Sequence, residues 1–190
     1  MPSTISREKG LALIQSKLSP GVVKHSLATE AAMKALAVHF NEEVDLWGMT
    51  GLLHDTDWEE TKLIPELHAV KTVEILKSEG ETNIQLLDAI LSHNFDHNKQ
   101  REPISHLDWS LSTCDSLTGL ITATALILPN KKIAEVTPEA VLKKFKSKSF
   151  AARTNRELIQ KCEEKLGIPL IDFIGIALKA MQGIAPDLGL

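Results

Sequence analysis

The stretch GLLHDTDWEE, residues 51–60, closes an apolar run with His54 and Asp55 side by side, and Asp57, Glu59 and Glu60 follow at once. An imidazole and a carboxylate carried by a buried segment are costly unless they are paired or hold an ion. Adjacent residues inside a helix diverge by about 100°, so the two share a target only if the helix ends there. Two further residues have a comparable address. His25, in GVVKHSLATEAAMKAL, falls on an apolar stripe with Val22, Ala32 and Leu36. Asp115, in HLDWSLSTCDSLTGLITA, lies on a long, largely apolar helix. A carboxylate there must be paired, protonated or bound to a metal. Two imidazoles and two carboxylates form an N/O donor set that suits divalent Mn, Zn, Fe, Co or Mg and does not resemble a thiolate site.

Other side chains near this set have both a chemical and a plain structural reading. Asp57 is a candidate general base, or an acid that orients a ligand histidine, or a cap for the next turn. His68 (IPELHAVKTVEIL) reads from its position as the cap of a first turn, and His93 (AILSHN) as a partner for a helix C-terminus. Lys24 beside His25 reaches phosphate or is an exposed helix lysine. Trp58 walls the pocket or simply packs. Cys114 has apolar neighbours and reads as an inert buried thiol, and His39, His97 and His106 receive no role. The segment 143–156, VLKKFKSKSFAARTNR starting two residues earlier, is basic; it is a solvated helix end, or a patch that steers phosphate toward a site mouth.

The elements that must position these groups are helical, because apolar residues recur at helical spacing and β-signals are scarce. Helices are predicted over 6–18, 21–40, 44–55, 66–79, 83–93, 104–128, 138–147, 154–166 and 169–182, with irregular stretches at 94–103 and 129–136. Pro65 suits a first helical turn and Gly80 a helix end. Thr137-Pro138-Glu139 is a start signal, and Gly167 with Pro169 separates the last two helices. The fold class is all-α: a compact multi-helix bundle in one domain over 1–190.

Hydrophobic residues make up 43% and charged residues 24%, ordinary for a globular chain with a sizeable core. The net charge of −4 exerts no overall pull toward nucleic acid polymer or anionic membrane. Two cysteines without metal-finger or CxxC spacing read as reduced thiols. MPSTISREKG has no leader-like pattern, and the longest apolar run, 117–128, is shorter than the roughly 18 residues of a membrane span. A cytoplasmic protein is expected, for which the apolar helix faces allow a homodimer without requiring one.

His25, then His54-Asp55 after GLL, then Asp115 in CDSLTGL resembles the H…HD…D signature of the HD-domain superfamily of metal-dependent phosphohydrolases, and GLLHDTD resembles its HDIG-type subgroup. The resemblance covers about 20–130, the HD core, and leaves 131–190 as a C-terminal helical extension. It implies a metal site of His25, His54, Asp55 and Asp115, with His68 and His93 as ligands of a second ion or as substrate contacts. Asp57, His54 and Asp55 would be catalytic. The implied reaction is hydrolysis of a phosphoester of a nucleotide or similar small molecule by metal-bound water. Many members continue HD with Ile-Gly-Lys; this chain has Thr56-Asp57-Trp58 and lacks that lysine. Two other readings share the scaffold: a dinuclear iron oxygenase using all six ligands, and a non-catalytic helical sensor or interaction module.

Overall fold

The computed structural model describes residues 3–190; Met1 and Pro2, which open the stretch read above for a leader, lie outside them. The chain forms α1 (Arg7–Lys17), α2 (Pro20–Phe40), α3 (Val44–Leu53), α4 (Trp58–Thr61), α5 (Val70–Ser78), α6 (Ile84–His93), α7 (Phe95–Asn98), α8 (His106–Leu126), α9 (Pro138–Lys146), α10 (Arg156–Leu166), α11 (Leu170–Gly183) and α12 (Ala185–Leu188). Two 3₁₀ turns, Pro65–Leu67 and Ile133–Glu135, complete the set, and no strand occurs among the described residues. The fold is all-α.

Local signals explain most boundaries. Pro20 opens α2, and Asn41 closes it in the left-handed region at φ 56°. Ser105 and Asp108 form a reciprocal capping box at the start of α8. Thr137 accepts the Ala140 N–H at the start of α9, and Gly167 at φ 68° ends α10. α3 is buried from Leu46 to Leu53, so it runs through the centre. It lies along α2 and also touches α1, α6 and α8. α8 packs on α2, α6 and α10, while α11 and α12 cover α2 from the other end of the chain. Leu36, Leu52, Leu53, Ile90, Leu111, Leu117 and Phe173 fill the interior with no exposed surface. Each such side chain contributes about 1.5–3 kcal/mol, which anchors the end of α3 against the cost of burying polar groups there.

The structure corrects the predicted 66–79 helix. A 3₁₀ turn occupies 65–67, so Pro65 opens that turn, and α5 begins only at Val70. Between them His68 is extended and Ala69 takes φ 71°, ψ −34°, a region that residues with a Cβ rarely adopt. Side chains far apart in sequence cause the break. The Asp57 carboxylate accepts the N–H groups of Ala69 and Thr72. Asn94 donates to the carbonyls of Pro65 and His68, drawing both out of any helical ladder. Residues 54–57 are also turn rather than the tail of a 44–55 helix, and the stretches predicted irregular at 94–103 and 129–136 contain α7 and the second 3₁₀ turn. No single helix among the described residues is long and apolar enough to cross a membrane.

Candidate metal centre

The site is built where α2, α3, α6 and α8 meet, and glycine sets how close the first two come. A Cβ on Gly51 would lie 2.8 Å from the Thr29 carbonyl oxygen and 3.0 Å from the Glu30 nitrogen. Only glycine lets α3 rest on the backbone of α2 here. That approach brings the rings of His25 and His54 to 5.3 Å, edge to face. His25 Nε2 then reaches Asp115 Oδ1 at 2.8 Å and Asp55 Oδ2 at 3.6 Å.

His54 caps α3, where the chain leaves the helix and allows Asp55 to turn toward the same point. Its Nδ1 lies 2.8 Å from the Gly51 carbonyl, which can only accept, so Nδ1 carries the proton. Nε2 is fully buried and makes no hydrogen bond. It points between Asp55 Oδ1 at 3.3 Å and Asp115 Oδ1 at 3.5 Å. A buried imidazole nitrogen left without a partner is expensive. Two ligands each about 2.1 Å from one ion are themselves about 3–3.4 Å apart, close to the 3.3 and 3.5 Å found here. The residues present therefore fit a divalent ion.

His68 and His93 repeat the arrangement on the other side of Asp55. His68 Nδ1 donates to Asp57 Oδ1 at 2.7 Å, and His93 Nδ1 donates to the Ile90 carbonyl. Each ring thus turns Nε2 inward, 3.3 Å and 3.8 Å from Asp55 Oδ1. His54, Asp55 and His93 form a second cluster of metal-ligand spacing beside His25, His54 and Asp115. A ligand histidine whose other nitrogen is held by a carbonyl or carboxylate is the usual companion of a metal, and three of the four imidazoles have that support.

The charges are mutually dependent. Burial works to raise the Asp55 pKa, yet His54, His68 and His93 hold it well below the ordinary carboxylate range. Asp115 is lowered likewise, against its burial, by His25 and His54. Burial opposes charge on His54 and His68, but the neighbouring carboxylates prevail: His54 is raised well above the ordinary value, and His68 to about 9. His93 is lowered, by its burial and by His68 and His54. Two ionised carboxylates thus demand positive charge at the centre, from protons or from an ion.

The remaining sequence-predicted residues are placed as follows. Asp57 is wholly buried; one oxygen takes the His68 proton and the other the two backbone N–H groups that start α5. Its geometry is that of the orienting acid and the cap at once. Lys24 is exposed, and its ammonium lies over Gly189 beside α12. Trp58 is partly exposed, edge to face with His68 at 5.3 Å. Cys114 is buried, and its surroundings push its pKa well up, so it stays a thiol. In the basic segment, Arg156 donates to the carbonyls of Phe145, Ser147, Phe150, Ala151 and Thr154, so it ties the α9–α10 loop together. Gly51 and Asn94 were missed. Their roles depend on contacts with other helices; the one sequence cue was a glycine inside an otherwise bulky buried run.

The model of the HD domain family matches residues 22–120, a stretch that contains all six converging residues, and the chain belongs to that family. The family belongs to a superfamily of metal-dependent hydrolases, and the His/Asp clusters are compatible with a divalent ion. No curated protein and no solved structure gives a significant match.

Proposed function

We propose that this chain is a metal-dependent phosphohydrolase that cleaves a phosphoester of a nucleotide or similar small molecule. The observation that carries the reading is His54 Nε2, buried and without a hydrogen bond between the side chains of Asp55 and Asp115. His25, His54, Asp55 and Asp115 would hold one divalent ion, and His68, His93 and Asp55 a second. Ions so held supply Lewis acidity toward a phosphoryl oxygen and lower the pKa of water toward neutrality. The protein's own part is to keep the donors rigid. The Gly51 and Ile90 carbonyls and Asp57 fix three imidazole tautomers, and the α2–α3 contact fixes the fourth ring's distance. The side chains of His25 and Asp115 are 26% and 29% exposed, whereas that of His54 is fully buried. Substrate therefore approaches from the His25–Asp115 side, and the buried side excludes water.

The test is metal analysis of the purified protein together with phosphate release from a panel of phosphomonoesters and nucleotides, for wild type and His54→Ala. Bound divalent metal and phosphate release in the wild type, both lost in the variant, support the reading. A chain that takes up no ion when offered Mn, Zn, Fe, Co and Mg sinks it. The six-donor set also favours a second reading, a dinuclear iron oxygenase, for which iron-dependent oxygen uptake without phosphate release is the distinguishing result.

A further inference from the structure

Beside the metal centre, α8, α10 and the connection 95–105 enclose a cleft of about 810 Å³, the size of a small-molecule site. Ser92, His93 and Ser112 are among its lining residues, so it shares a wall with the ligand cluster. Its lining includes Trp109, Lys161 and Lys165 along with the carboxylates of Asp96, Glu102, Glu157 and Glu164. Trp109 on α8 is half-buried, with one part of its indole on the core and the rest in the cleft. Lys161 and Lys165, one turn apart on α10, bring their ammonium groups to 5.3 Å and 5.4 Å from the centre of that ring. Lys165 is paired with Glu164, while among the described residues Lys161 has no carboxylate within ion-pair distance. Two like charges gathered on one aromatic ring repel each other, and the ring quadrupole offsets that only in part. An anion brought between them would complete the arrangement.

We propose that this cleft is the leaving-group subsite of the enzyme. Trp109 stacks a flat ring of the substrate, while Lys161 and Lys165 bind an anionic group other than the phosphate being cleaved. The inference rests on the phosphohydrolase reading and narrows its substrate class to ring-bearing phosphoesters with a second anionic group, such as nucleotides that carry more than one phosphate. Stacking tolerates any base, since each has a π-face; the lysines act as point charges that tolerate several phosphate positions.

Calorimetric titration of the metal-loaded protein with adenosine 3′,5′-bisphosphate, adenosine 5′-monophosphate and ribose 5-phosphate tests it. Turnover of each compound is followed in parallel. The bisphosphate should bind about tenfold or more tightly than the monophosphate, and Lys161→Ala/Lys165→Ala should erase that advantage while leaving the monophosphate unchanged. Trp109→Ala should weaken both nucleotides about tenfold and leave ribose 5-phosphate unaffected, with Trp109→Phe restoring most of the loss and guarding against a folding defect. No binding of either nucleotide by the wild type, or equal binding by all variants, overturns the subsite. Binding that follows this pattern without phosphate release would retain the subsite and sink the hydrolase reading; turnover with a KM indifferent to the variants would do the reverse.

Discussion

The Nε2 atoms of His68 and His93 lie 3.2 Å apart, and each ring already donates its Nδ1 proton elsewhere, to Asp57 and to the Ile90 carbonyl. Two imidazole lone pairs at that distance need a cation between them, a shared proton or a metal ion. The expected content is therefore two ions per chain. His68→Ala and His93→Ala should each lower it to about one without unfolding the protein, whereas Asp55→Ala, which removes the donor assigned to both ions, should lower it further. Elemental analysis after dialysis decides this; one ion in the wild type would confine His68 and His93 to substrate contact.

Asp57 acts through His68. Asp57→Asn removes the charge that keeps the Nδ1 proton in place and leaves the side chain's size unchanged. Loss of such an orienting partner typically costs about 10–100-fold in metal affinity or activity. Metal titration of the variant, with circular dichroism to confirm the helices, should show the loss confined to the ion held by His68. An unchanged titration would make Asp57 only a cap for α5.

Gly51→Ala puts a methyl group 2.8 Å from the Thr29 carbonyl oxygen. Backbone, unlike the flexible lysine chain that faces Gly48, has little room to yield. A destabilisation of about 1–3 kcal/mol is expected from such overpacking, with metal uptake reduced because His54 is pushed from His25. Thermal denaturation and metal content measured together distinguish this from a neutral surface change, for which neither would move.

Glu81 ties the N-terminal segment to the bundle. Its carboxylate accepts from Ser3, from Thr4 through backbone and side chain, and from the Ile5, Thr82 and Asn83 N–H groups. Burial would raise its pKa, yet these bonds lower it to about 2. A folded pKa below the unfolded value of about 4.3 stabilises the fold above that value, and the contribution is lost as pH falls through about 2. Glu81→Gln should cost about 1–3 kcal/mol at neutral pH, and the difference in denaturation midpoint from wild type should shrink between pH 5 and 2. A difference independent of pH would contradict this account.

Much of this was legible along the chain. The helical period, Thr137, Gly80 and Gly167 act within a turn or two, so the helices follow from local residues. Where prediction and structure part, at 66–79, the helix breaks because Asp57 and Asn94 reach in from other segments to take the backbone groups of Pro65, His68, Ala69 and Thr72. A periodic pattern carries no trace of such partners.

By itself the sequence determined that this is an all-helical chain with an HD-type set, because residue type, apolar spacing and caps act locally and are written in order. Tertiary structure decided which of seven histidines meet. Convergence depends on how closely helices approach and how each ring is turned. Gly51 sets the approach of α3 to α2, three imidazoles are turned by carbonyls or Asp57, and the break at Ala69 swings His68 inward. It also placed Trp109 against Lys161 and Lys165, since residues some fifty positions apart become neighbours only when α10 packs on α8.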